Sequence, residues 1–159
     1  MSEPLLVVTE TVKPEWIDNF GHMNMAYYLL AFDNGTYGFW LHVTRDRSQE
    51  ERDVMAYAVV EAHINYLREV SVGQSLRITT QLLDADGKRF RLFHNMHQVE
   101  DGYLAATNEV MALGFNLKTR TIAPFTEPTL AEINRVLAKH GALRTPPGAG
   151  RAIGMPRRT

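Results

Sequence analysis

From Met25 to His42 the chain reads MAYYLLAFDNGTYGFWLH, a stretch of helical length with almost no polar side. Met25, Tyr28, Leu29, Phe32, Phe39, Trp40 and Val43 recur at helical spacing and form one apolar face. The other face holds Ala26, Tyr27, Leu30, Ala31 and Tyr37 and is hardly more polar. A helix that is apolar all round has to be buried nearly all round. Gly35 and Gly38 interrupt it, each costing roughly 1 kcal/mol relative to alanine. Close approach of a neighbouring backbone is the expected compensation. Asn24 stands where an N-cap is wanted.

The rest of the chain supplies strands to bury this helix. Residues 5–13, LLVVTETVK, are rich in branched side chains and predict a first strand ended by Pro14. Residues 43–53 form a charged connector. Val60, Ala62, Ile64 and Tyr66 then alternate with Glu61, His63, Asn65 and Leu67. SLRITTQLLD, RFRLFHNMHQVE and YLAATNEVMALGFNL follow as three more strands, joined by the turns DADGK and DG. A modest helix is expected over 128–140. The tail 144–159, RTPPGAGRAIGMPRRT, reads as poorly ordered, leaving 1–143 as one domain. Tight turns join antiparallel neighbours. The order therefore predicts an α+β fold in which a curved antiparallel sheet wraps one long central helix. One sheet cannot cover a helix completely, so a homodimer is expected, with a tetramer as the next level of assembly.

Composition narrows the partners. A formal net charge of -1 gives no general attraction for nucleic acid or anionic membrane. The absence of cysteine excludes disulfides, thiolate zinc sites and a cysteine nucleophile. His94 and His97 are three apart on a strand and point to opposite faces, so no shared metal site is expected there. No apolar run approaches the ~20 residues of a membrane span, and the start lacks the basic and apolar regions of a signal peptide. A cytoplasmic protein without a cofactor is the expectation.

DNFGHMN, Asp18 to Asn24, sits at the mouth of the central helix. With the strand block after it, this motif resembles the hotdog-fold thioesterases of the 4-hydroxybenzoyl-CoA type, over roughly residues 5–140. PEWIDNFGHMNMAYYLLAFD and EAHINYLREV are further similar to the thioesterase module found with L-carnitine dehydrogenases, proposed to act on betainyl-CoA. The resemblance implies the hotdog fold and hydrolysis of a small acyl-CoA thioester to free acid and CoA. It makes the Met25 backbone N–H the donor to the thioester carbonyl. Phe20 stands where many relatives carry Asn, which removes an amide that some mechanisms would use.

The physical chemistry of these residues fits that reading. Backbone N–H groups at a helix N-terminus lack intrahelical partners and lie at the positive end of the helix dipole. They polarise a carbonyl without a charged side chain. Asp18 would attack as a nucleophile or act as general base on water, against the plainer role of an aspartate in a turn. His22 would orient Asp18 or a water, or simply pack. Asn24 is read as a cap before a catalyst, and Gly21 as a residue that permits an unusual backbone or close substrate approach. Glu61, His63 and Asn65 share one strand face, turned to the pocket or dimer seam or else to solvent. Arg68, Lys88, Arg89, Arg91 and Arg120 are candidates for the CoA phosphates. Trp16, Tyr27, Tyr28, Tyr37 and Trp40 could offer ring faces to a quaternary ammonium acyl group. Two other readings stand beside this one. A hotdog hydratase carries Asp and His five apart around Asn-Pro, whereas Asp18 and His22 are four apart with no proline between. A non-catalytic acyl-CoA-binding or sensor module would keep the pocket and lose the chemistry.

Overall fold

The computed structural model describes residues 3–155. Strand β1 (Leu5–Thr11) leads through a 3₁₀ turn at Pro14–Trp16 to helix α1 (Met25–Val43). A short helix, α2 (Gln49–Arg52), precedes β2 (Met55–Tyr66), β3 (Ser75–Ala85), β4 (Arg89–Gln98) and β5 (Leu104–Asn116). The short strand β6 (Thr121–Ile122) and helix α3 (Glu127–His140) follow. The sheet runs β1-β3-β4-β5-β2, with β6 on β5, and every pairing is antiparallel. It curls around α1 in the hotdog arrangement.

The apolar helix and the alternating strands explain each other. Along β4, Phe90, Leu92, His94 and Met96 point inward and are buried against α1, as period-2 alternation requires. Phe32 and Phe39 of α1 are fully buried between them and Ile78 and Leu82 of β3. The two glycines stand where β1 and β3 press on the helix. A Cβ on Gly38 would lie 2.8 Å from the Val7 carbonyl oxygen, and one on Gly35 would lie 3.0 Å from Ile78 Cγ2. At Gly38 close approach of the β1 backbone is the compensation, as expected, whereas at Gly35 it is the Ile78 side chain that takes the space.

A histidine sits in the middle of this core, flanked by two buried threonines. His94 is completely buried, with Nδ1 2.7 Å from Thr80 Oγ1 and Nε2 3.1 Å from Thr36 Oγ1. The Thr36 hydroxyl donates to the Phe32 carbonyl at 3.2 Å. A neutral ring carrying its proton on Nε2 therefore satisfies all three groups. Burial pushes its pKa down to about 3.

Several local expectations change. The connector after α1 contains α2, because Ser48 and Glu51 form a reciprocal capping box. Strand β2 begins at Met55 and carries a bulge between Val59 and Glu61. The bulge absorbs Val60, which is 56% exposed, so the inward row is Val59, Ala62, Ile64 rather than one beginning at Val60. The tail is also more ordered than its composition implied, as far as the described residues go. The Gln81 amide donates to the Arg144 carbonyl, the Gly150 N–H donates to Glu109 Oε2 at 2.6 Å, and Gly148 lies against the Phe93 ring. Phe93 points away from α1, yet it is only 2% exposed because this segment covers it. An outward aromatic gave the tail a surface on which to pack. Residues 156–159 of that tail lie outside the described residues.

The sheet leaves one side of α1 uncovered. Leu29, Leu30, Tyr37 and Leu41 are each more than 40% exposed. A cleft of about 460 Å³ opens between this side and β2, walled by Leu29, Leu30, Val59, Ala62 and Val110. Among the described residues, strand β2 pairs only with β5, so its other edge is open along 12 residues.

Candidate active site

The loop from Ile17 to Asn24 is pinned at both ends. Ile17 and Met23 form a bridge, the Met23 N–H donates to the Val70 carbonyl at 3.0 Å, and the Asn24 N–H donates to the Trp16 carbonyl at 2.8 Å. Within it the Asp18 N–H donates to the His22 carbonyl and the Gly21 N–H donates to the Asp18 carbonyl. Closing so tight a loop demands a left-handed residue, and Gly21 supplies it with φ +86°.

Asp18 has two uses in this loop. Its Oδ1 accepts the Phe20 N–H at 2.8 Å, the turn role read from sequence. Its Oδ2 accepts nothing from the described residues, and the half-buried side chain borders a cleft of about 340 Å³. Met25 borders the same cleft. Asn24 caps α1 by accepting the Ala26 N–H at 2.9 Å. That commits its Oδ1 to the helix, the capping role read from sequence. The Met25 N–H is left without an acceptor among the described residues, at the positive end of a 19-residue helix.

Tyr28, Tyr66, Leu67, Arg68 and Glu69 complete the cleft. The Tyr66 hydroxyl donates to the Met25 carbonyl at 3.3 Å, and the Tyr28 hydroxyl donates to the Arg68 carbonyl at 3.4 Å. Burial raises both phenol pKa values, so both stay protonated. His22 reaches Glu69, with Nε2 3.1 Å from Oε2. Sequence reading missed Glu69 and Tyr66 as site residues. Both follow from the chain leaving β2, where the Leu67 and Arg68 N–H groups share the Ala105 carbonyl and turn the backbone toward the Asp18 loop. No local pattern announces a contact between segments more than 40 residues apart. The one available sign was a carboxylate and an arginine directly after an alternating strand.

Other candidates lie elsewhere. Glu61, His63 and Asn65 are on the face of β2 turned away from α1, and none borders the cleft, because they alternate with the inward Ala62 and Ile64. Of the five proposed phosphate-binding cations only Arg68 is at the cleft. Arg89 is bound to Asp86, with Nε 2.6 Å from Oδ2, and Arg91 to Glu109 at 3.3 Å. Arg89 pairs with Leu113, whereas the cleft lies beside Ala106. Seven strand residues separate them, about 23 Å. Lys88 shares the far end, its carbonyl accepting the Gly114 N–H, and Arg120 sits over the Phe115 ring. In one chain these four do not surround the cleft. The aromatic residues also divide. Trp16 stacks on Tyr27, Tyr28 meets Tyr66 edge-on, and Trp40 packs with Tyr57, Phe90 and Phe125 in the distal core. They form no single cage.

Comparison with known proteins agrees with this fold. A family model described as the thioesterase-like superfamily matches residues 12–133. The chain is 35% identical to a betainyl-CoA thioesterase of Pseudomonas aeruginosa over 98% of both chains. It is 33% identical to an L-carnitine dehydrogenase/betainyl-CoA thioesterase of Rhizobium meliloti, aligning over 98% of its own length and 31% of that longer protein. Among solved structures, a Staphylococcus aureus protein in complex with CoA superposes with a TM-score of 0.85 at 32% identity, over 96% of this chain and 97% of that one. A helix mouth with a free N–H and an adjacent carboxylate, a sheet wrapped around that helix, and relatives matched along nearly the whole chain place this protein in the thioesterase-like, hotdog-fold superfamily.

Proposed function

We propose that the chain hydrolyses an acyl-CoA thioester to the free acid and CoA, with betainyl-CoA as its substrate. The observation that carries this is the pairing of the Asp18 carboxylate with the free Met25 N–H in one cleft. The thioester carbonyl oxygen accepts the Met25 N–H, which stabilises the negative charge that develops as the carbonyl carbon is attacked. Asp18 delivers the attack, either through its own free oxygen to give a mixed anhydride or by taking a proton from water. The C–S bond breaks and CoA leaves as the thiol; water's oxygen enters the product on the general-base route or when the anhydride opens at the acyl carbon, and enters Asp18, whose own oxygen leaves with the product, when it opens at the aspartyl carbon. Label found in Asp18 after a single turnover in ¹⁸O-labelled water therefore identifies direct attack.

The test of the reading is thiol release from a panel of acyl-CoAs. Release that needs Asp18 supports it. Tight binding of every ester without release would favour the acyl-CoA sensor instead. A substrate carried on CoA puts the reaction in the cytoplasm. Among the described residues no helix is long and apolar enough to cross a membrane.

The assembly follows from what the sheet leaves open. A second copy, paired along the free edge of β2, covers Leu29, Leu30 and Val59 and satisfies the unpaired backbone of that edge. Leu30→Glu then yields a monomer in sedimentation, whereas an unmodified chain sedimenting as a monomer at micromolar concentration would end the homodimer proposal. Pairing of dimers into a tetramer is read from the same experiment.

A further inference from the structure

We propose that Glu69 and the Tyr66 ring select a cationic acyl group at the Asp18 cleft, an inference that rests on the thioesterase reading above. In a betainyl thioester the quaternary nitrogen is two bonds from the carbonyl carbon. Whatever recognises that charge must therefore stand beside Met25. This requirement excludes most of the aromatic residues. Trp40 is in the distal core, and Tyr37 is 12 residues further along α1, about 18 Å away. Tyr66 meets the requirement, because its hydroxyl is tied to the Met25 carbonyl at 3.3 Å. Its ring stands edge-on to Tyr28 at 5.2 Å, and the residue is 45% exposed. A ring face is a favourable neighbour for a quaternary ammonium group.

The charges around the cleft have the matching sign. Asp18 and Glu69 both border it. The bordering cation, Arg68, has its guanidinium 4.0 Å from the centre of the Tyr103 ring, which holds that charge to one side. Tyr103 also fixes Glu69, donating its hydroxyl to the Glu69 carbonyl at 2.8 Å. His22 engages Glu69 Oε2, while Oε1 has no partner among the described residues. The result is a carboxylate at the border of the cleft, its side chain 65% exposed, with one oxygen uncommitted. A trimethylammonium head gains from it, a neutral head gains nothing, and a dicarboxylic acyl group is repelled.

The experiment compares betainyl-CoA with 3,3-dimethylbutyryl-CoA, which has the same shape with carbon in place of nitrogen. Wild-type protein is expected to favour the cationic ester in kcat/KM by about 10-fold, the scale of one partly exposed charge pair. Glu69→Gln should bring the ratio of the two kcat/KM values close to one, and Glu69→Lys should invert it. Tyr66→Leu should lower the same ratio. A ratio unchanged in the Glu69 variants overturns the proposal, even if both rates fall together, since that pattern belongs to His22 positioning and not to charge recognition. Release from both esters without a wild-type preference overturns it while leaving the thioesterase reading intact. Release from neither ester, with release from other acyl-CoAs, overturns this proposal and the betainyl assignment, and no release from any acyl-CoA overturns the thioesterase reading as well.

Discussion

Replacing His94 with glutamine should flatten the acid side of this protein's stability curve. The ring is fully buried between Thr36 and Thr80, and its pKa falls from 6.5 to about 3 on folding. A depressed folded-state pKa means that the unfolded chain binds the proton more readily. The stabilisation is therefore complete above pH 6.5 and is lost as pH falls from there toward 3. The slope approaches about 1.4 kcal/mol per pH unit. Between pH 7 and pH 4.5 the loss comes to about 2.5 kcal/mol, a large part of a typical stability of 5–15 kcal/mol. Glutamine keeps a donor and an acceptor for the two threonines but does not titrate. The variant should be less stable at pH 7, by about 1–3 kcal/mol for imperfect hydrogen bonding. The gap to wild type should then shrink by about 2.5 kcal/mol at pH 4.5. Urea unfolding at both pH values and one fixed protein concentration measures this, because every other titrating group cancels in the difference. A gap that stays constant within about 0.5 kcal/mol would refute the reasoning.

Asp18→Asn retains the oxygen that accepts the Phe20 N–H, so the loop should survive while thiol release falls by about 10²–10⁴-fold, measured as kcat beside an unchanged melting temperature. Gly38→Ala drives a methyl group to 2.8 Å from the Val7 carbonyl; it should cost about 1–3 kcal/mol and lower Tm by several degrees in calorimetry, despite alanine's better helix propensity. His140 Nδ1 accepts the Leu82 N–H at 2.8 Å and so docks α3 on β3. His140→Ala should cost about 1–3 kcal/mol and make α3 the first site cut in limited proteolysis. Burial holds the His140 pKa down, so acidification below pH 6.5 should loosen α3 in wild type as well, read by hydrogen exchange. Deleting residues 146–159 uncovers Phe93, and should lower stability by about 1–2 kcal/mol in denaturant titration.

The architecture could be read because its signals are local and periodic. An apolar helix without a polar side, followed by alternating strands and tight turns, has few ways to bury itself. The Asn24 cap and the two helical glycines were legible for the same reason: each acts on its own backbone or on a neighbour that the fold class predicts. The bulge at Val60 was not legible, since a single inserted residue changes no residue's propensity while exchanging the faces of everything before it. The ordered tail was hidden by composition, because its anchor is Phe93, an outward residue on a distant strand.

The site divides along the same line. Asp18, Gly21, Asn24 and the Met25 N–H occupy one short segment, so sequence alone brought them together at the tip of the helix. Which other side chains face them depended on where β2 ends and turns. That turn put Glu69, Tyr66 and Arg68 at the cleft and left Lys88, Arg89, Arg91 and Arg120 away from it. Spacing along a strand states which residues share a face; it does not state what the face meets. Only the curled sheet, with its register and the turn after β2, sets which charges border the Asp18 cleft.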